Sequence, residues 1–131
     1  MKLRVVAVFG SVIFHTSLVA SATDNGRYHA GAVDAKGVRH QGRDVDWTQD
    51  VIYSVRPNYP LSERALHHTG SVLLQLNLDL RTGRVTKVIV LKSTGFSKLD
   101  QSIVDTFRQW RWKPGKWREI EVPVTFTLTA M

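Results

Sequence analysis

A chain of 131 residues, 43% hydrophobic and 22% charged, is long enough for one folded domain and too short for two of ordinary size. Eighteen Lys and Arg against eleven Asp and Glu leave a formal charge of +7, which suits an acidic partner or surface without specifying nucleic acid. The absence of cysteine excludes a disulfide framework, thiolate catalysis and Cys-ligated zinc or iron–sulfur sites, and says little about compartment.

At the amino terminus, Lys2 and Arg4 precede an apolar run from Val5 to Ala20, and Ala20-Ser21-Ala22 supplies the small-x-small pattern that a signal peptidase accepts. Residues 1–22 therefore have the layout of a secretory signal peptide. The same run also reads as a short inner-membrane anchor, because Val5 to Ala22 would extend roughly 27 Å as a helix. Either way, with Lys2 and Arg4 held inside, everything after Ala22 is exported, and the periplasm of a Gram-negative cell is its natural destination. Ser11 and His15, four apart, share one face of a helix in this run. A His inside a membrane helix is a functional candidate, whereas signal-peptide cores tolerate such residues.

Residues 23–50 hold Gly26, Gly31, Gly37 and Gly42, mixed charges and almost no regularly spaced large apolar residue, which predicts a flexible linker. Trp47 marks where packing begins, and a folded domain is expected over 51–131. Pro57 and Pro60 bracket Asn58-Tyr59 in extended backbone, after which Leu61 to Thr69 reads as a short helix stopped by Gly70, with Leu61, Ala65 and Leu66 buried. His67 and His68 diverge by about 100° on such a helix and cannot readily grip one metal, so they read as a solvated helix end.

From Ser71 to Leu80, Val72, Leu74, Leu76, Leu78 and Leu80 alternate with Leu73, Gln75, Asn77 and Asp79, the period of a half-buried strand. A Thr82-Gly83 turn leads into Val85 to Lys92, completing a hairpin whose second strand is apolar on both faces, which implies a more covered strand or a bulge. Ser97 looks like a helix cap with Asp100 three residues on, and Leu99, Ile103, Phe107 and Trp110 form one apolar stripe. Pro114 ends this helix near Trp112. A last strand places Ile120, Val122, Val124, Phe126 and Leu128 on one face. Pro123 has no N–H, so this strand is expected at a sheet edge, with Glu121, Thr125, Thr127 and Thr129 offering their backbone groups to the free side. The fold class is α+β: a small three-stranded antiparallel sheet packed on two helices, in the order α-β-β-α-β.

No catalytic constellation, phosphate loop or metal-ligand spacing is present, which argues against an enzyme and against a bound cofactor or metal. The basic, aromatic stretch from Arg108 to Arg118 has the composition of a nucleic-acid surface. Its Trp110 belongs to the helix stripe, however, and cations suit a helix carboxyl end whatever the function, so no nucleic-acid partner is expected.

In order along the chain, Arg56-Pro57-Asn58-Tyr59-Pro60, Gly70-Ser71-Val72, Thr82-Gly83-Arg84-Val85, Leu99-Asp100, Trp110-Arg111-Trp112-Lys113-Pro114-Gly115 and Val122-Pro123-Val124-Thr125-Phe126 resemble the carboxy-terminal domain of the TonB family of energy transducers. The resemblance implies a periplasmic domain that grips the TonB-box peptide of TonB-dependent outer-membrane receptors by strand addition, and passes on inner-membrane energy for solute uptake. It implies that the peptide contacts Arg56, Pro57, Asn58 and Tyr59 as well as the last strand, and Arg56 would favour an acidic peptide. Ser11 and His15 match the family's Ser-x-x-x-His anchor face, which meets the ExbB–ExbD motor. Ala22 and Gly26 replace the leucine and serine of that pattern, and a glycine-bearing linker stands in place of the family's proline-rich spacer. The alternative is a soluble periplasmic interaction module with the same fold and no energy transduction. Mass spectrometry of the chain from cells separates the two: a start at Thr23 excludes the anchored form, and an intact Met1 excludes the cleaved one.

Overall fold

Two long runs of alternating apolar and polar residues set the sheet against which the helices pack. The computed structural model describes residues 2–7, 31–41 and 47–129. In chain order these form β1 (Lys2–Ala7), β2 (Ala32–Asp34), β3 (Arg39–His40), a 3-10 turn (Trp47–Asp50), β4 (Val51–Tyr53), α1 (Leu61–Ala65), β5 (Gly70–Leu78), β6 (Val85–Lys92), α2 (Ser97–Arg108), β7 (Arg111–Trp112) and β8 (Trp117–Thr129). The expected α-β-β-α-β core is present as α1, β5, β6, α2 and β8.

The sheet is larger than the three strands expected. It has six, in the order β3-β2-β8-β5-β6, with β1 also paired to β8. A separate two-stranded ribbon joins β4 to β7. The stretch read as a linker supplies β2, β3 and the 3-10 turn, and both Ala32 and Trp47 are buried. Edge pairing holds this segment where its own apolar content could not: β2 is antiparallel to the start of β8, and the Ala35 N–H donates to the Lys116 carbonyl at 2.9 Å. The apolar run from Val5 to Ala22 lies outside the described residues beyond Ala7. Among the described residues no helix is long and apolar enough to cross a membrane.

The core follows the alternation. Val72, Leu74, Leu76 and Leu78 of β5 and Ile120, Val122, Val124 and Phe126 of β8 are all buried, and Leu99, Ile103 and Phe107 of α2 pack in the same core. Each such side chain contributes about 1.5–3 kcal/mol through apolar burial. An aromatic chain extends this core: Phe107 lies 4.6 Å from Trp110, Trp110 lies 5.7 Å from Trp112, and Trp112 lies 5.9 Å from Trp47, centroid to centroid.

Two local expectations change, and one open alternative is decided. The first helix is only Leu61–Ala65, with Leu61 71% and Leu66 63% exposed, while Glu63 is the side chain it buries. The helix is too short to present a continuous stripe, and His67 leaves it in the left-handed region at φ 55°. Ser97 does not cap α2. Phe96 occupies the cap position, and Asp100 instead accepts from the Thr94 N–H at 2.9 Å, from the Thr94 hydroxyl at 2.7 Å and from the Ser93 hydroxyl, bracing the loop before the helix. On β6 the bulge alternative holds: its register with β5 shifts at two places, and as the outermost strand it leaves Val90 and Leu91 exposed.

α2 ends at Arg108, short of Trp112, and Trp112 then donates its backbone N–H to the Gly83 carbonyl at 2.9 Å. Gly83 sits at φ 72°, and a Cβ there would lie 1.8 Å from the Trp112 carbonyl oxygen. Gly83→Ala therefore combines left-handed strain with a backbone clash, and urea denaturation is expected to show a loss of about 2–4 kcal/mol.

Candidate functional site

Pro123 decides how β8 is shared between partners. On one side β8 pairs with β5 from Gly70↔Phe126 to Asn77↔Glu119. On the other, β2 pairs with Trp117, Glu119 and Ile120, the Glu121 N–H donates to the Gly31 carbonyl at 2.8 Å, and β1 pairs antiparallel from Val124 to Thr129. The expected edge position of β8 is thus corrected: this strand is inside the sheet, and Pro123 falls in the gap between its two outer neighbours. A residue that cannot donate is tolerated there because no partner strand asks it to.

The Glu121–Gly31 bond also fixes the direction of the backbone. Successive residues alternate sides, so the N–H groups of Thr125, Thr127 and Thr129, in step with Glu121, point away from β5. These are opposite Val6, Arg4 and Lys2 of β1. The outer side of β8 beyond Pro123 is therefore a strand-accepting surface, filled in this structure by the chain's own β1.

The remaining expected site residues divide. Glu121 accepts from the Arg39 guanidinium at 3.1 Å, and Glu119 accepts from the same group at 2.8 Å. Both carboxylates raise the affinity of Arg39 for its proton. Glu121 is thereby committed to β2 and β3. The Thr125 hydroxyl lies 2.8 Å from that of Ser71 across the β5–β8 ladder. Arg56 and Asn58 are exposed and Pro57 is half-buried, while the Asn58 carbonyl accepts from the Ser102 hydroxyl of α2. Ser11 and His15 lie outside the described residues.

Tyr59 is buried. Its hydroxyl donates to the His68 carbonyl, and its ring meets Phe126 of β8 edge-on at 4.9 Å. This contact ties the Arg56–Pro60 segment to the far half of β8. Burial, reinforced by the nearby Glu63 carboxylate, pushes the Tyr59 phenol above its ordinary value. Sequence reasoning missed the neighbouring arrangement: Glu63 holds His68 Nδ1 at 2.5 Å, and the His68 ring stacks on Phe96 at 3.9 Å. The five-residue spacing of Glu63 and His68 gives no helical signal, because the chain has left the helix by His67. Glu119 and Glu121, two apart on one strand face, were the visible sign of the Arg39 clasp.

The indoles of the basic aromatic stretch are built into the fold rather than displayed. Trp110 and Trp112 are buried, Trp110 Nε1 donates to the Val55 carbonyl at 2.9 Å, and Trp117 Nε1 donates to Asp50 at 2.9 Å.

An antiparallel sheet packed with two helices, its last strand paired on the outer side with the amino-terminal strand, defines an α+β domain. Residues 55–129 match the family described as Gram-negative bacterial TonB protein C-terminal, and the chain belongs to that family. It is 32% identical over 80 residues to protein TonB of Vibrio cholerae, covering 61% of this chain and 32% of that protein. It is 34% identical over 73 residues to protein TonB of Neisseria meningitidis serogroup C, and 36% identical over 73 residues to that of Neisseria gonorrhoeae. Each of those two matches takes in 56% of this chain, and it spans 26% and 25% of the relative respectively. The match thus spans between a quarter and a third of these relatives.

The raised phenol has a definite sign. A group protonated more strongly in the folded state supports the fold below its ordinary value of 10.0 and withdraws that support as pH climbs through its raised value. Stability is expected to fall above pH 10, and Tyr59→Phe should flatten that fall. At neutral pH the same variant should lose about 1 kcal/mol in urea denaturation, for the hydrogen bond to His68.

Proposed function

We propose that this chain is a non-catalytic, cofactor-free periplasmic protein that docks the TonB-box peptide of outer-membrane receptors as an added strand on β8, and couples inner-membrane energy to uptake. Family membership supports the general role. The observation that carries the docking mode is that Val124–Thr129 already accepts an antiparallel strand, Lys2–Ala7, on the side facing away from β5. A receptor peptide would take that place, its backbone bonds giving affinity and Arg56, Pro57 and Asn58 adding selectivity from the neighbouring segment. Tyr59 positions that segment and is not itself a peptide contact. In this reading an uncleaved amino-terminal segment anchors the chain, and Ser11 and His15 meet the ExbB–ExbD motor.

One observation favours a second reading, a soluble interaction module of the same fold that transduces nothing. Lys2–Ala7 cannot pair with β8 and lie at a membrane in the same molecule. Signal cleavage after Ala22 would remove β1 and open the docking side.

Titration with TonB-box peptides from the same genome, followed by calorimetry, tests the shared part of both readings. Removing residues 1–22 should tighten binding, because the peptide no longer displaces β1. Thr127→Pro removes a donor facing the peptide and should weaken binding by about 1 kcal/mol or more. Unchanged affinity in a folded Thr127→Pro protein would move the docking site off β8.

A further inference from the structure

Several turns of the chain converge at the end of the sheet where β8 begins, opposite the end at which Thr125–Thr129 accept a strand. The Gly115 N–H donates to the Leu80 carbonyl at 2.7 Å, the Ala35 N–H to the Lys116 carbonyl at 2.9 Å, and the Lys113 N–H to the Asp50 carbonyl at 2.7 Å. Arg84 bridges Arg111, and Arg111 is opposite Tyr53 in the β4–β7 ribbon. These bonds gather Lys36, Arg81, Arg84, Arg111, Lys113, Lys116 and Arg118 at one pole, and all but the half-buried Arg111 are exposed.

Little negative charge offsets them. Asp79 accepts from the Arg81 backbone and faces its guanidinium at 3.5 Å, yet that side chain remains 88% exposed. Asp50 is engaged by Trp117, Asp34 by His40 and by two backbone N–H groups of its own turn, and Glu119 by Arg39. Among the described residues, no carboxylate pairs with Lys36, Arg84, Arg111, Lys113, Lys116 or Arg118.

The pole is also apolar at its rim. Tyr53 opposite Arg111, its neighbour Ile52, and Val38, which closes the β2–β3 turn two residues after Lys36, are each 52% exposed. They sit on a turn and a short ribbon. A set of spread, exposed cations with apolar and tyrosine side chains among them is complementary to a plane of phosphates over hydrocarbon.

We propose that this pole is a membrane-contact surface that seats the domain on anionic phospholipid, with the cations meeting headgroup phosphates and Tyr53, Ile52 and Val38 entering the interface. The contact is independent of receptor docking, since it uses the opposite end of β8. With the pole on the bilayer, the strand-accepting half of β8 points away from that membrane.

The test is sedimentation of the full chain with vesicles of phosphatidylcholine alone and of phosphatidylcholine mixed with phosphatidylglycerol. Binding is expected only to the mixed vesicles and should weaken as salt rises. Lys113→Glu with Lys116→Glu, both on an exposed turn, should weaken it at least about 30-fold, the factor supplied by two cations near such a surface. Tyr53→Ser should weaken it with its salt dependence unchanged, and circular dichroism confirms that each variant is folded. Equal binding to both vesicle types, or binding that survives the charge reversal, would assign membrane affinity to the amino-terminal apolar run and overturn the proposal. Binding to soluble polyglutamate as tight as to mixed vesicles, and indifferent to Tyr53→Ser, would assign the pole to an acidic polymer and overturn it as well.

Discussion

The ladder that joins β5 to β8, from Gly70 and Phe126 to Asn77 and Glu119, aligns two alternating apolar faces in one plane. Only with both strands in register do Val72, Leu74 and Leu76 form a common surface with Ile120, Val122 and Val124 for α2 to cover, since a slip by one residue would turn either set to the other face. The backbone groups of β8 that this ladder does not use point the other way, and that remainder is what β2, Gly31 and β1 engage. The core and the candidate docking side are two consequences of one pairing.

Pro123 divides that remainder. Before it, the start of β8 is closed by β2 and clasped through Arg39, Glu119 and Glu121, so this half is structural. After it, among the described residues, the strand is held by β1 on the outer side. A proline within a strand commonly protects an edge from unwanted pairing. Here it separates the β2 pairing from the β1 pairing, and Tyr59 fixes the Arg56–Pro60 segment against Phe126 beside the β1-paired half.

The arrangement gives the two ends of β8 different surroundings. One end is enclosed by turns rich in Lys and Arg, locked together by the Gly83–Trp112 approach and the Asp50–Trp117 bond. The other offers backbone hydrogen bonds. The tryptophans that made the Arg108–Arg118 stretch look like a binding surface serve as its interior, and the cations between them are displayed because the indoles are not.

Much of the fold was legible because it depends on periodicity. The alternation in β5 and β8 and the stripe of α2 each name the residues they bury, and the ordered motifs from Arg56 to Phe126 named the family. The first helix was misread because a buried Glu63 and an exposed Leu61 reverse the usual rule, for a reason, the His68 contact, that no local spacing reveals. The ordering of Ala32–Asp34 and Trp47 was hidden because their stability comes from strands and rings more than sixty residues away. The sequence by itself therefore determined which faces are apolar, where Pro123 cannot donate, and how much positive charge there is. Only the tertiary structure decided which strand lies along each side of β8 and that the cations gather at one end, because pairing and charge clustering depend on distances between segments that are far apart in the chain.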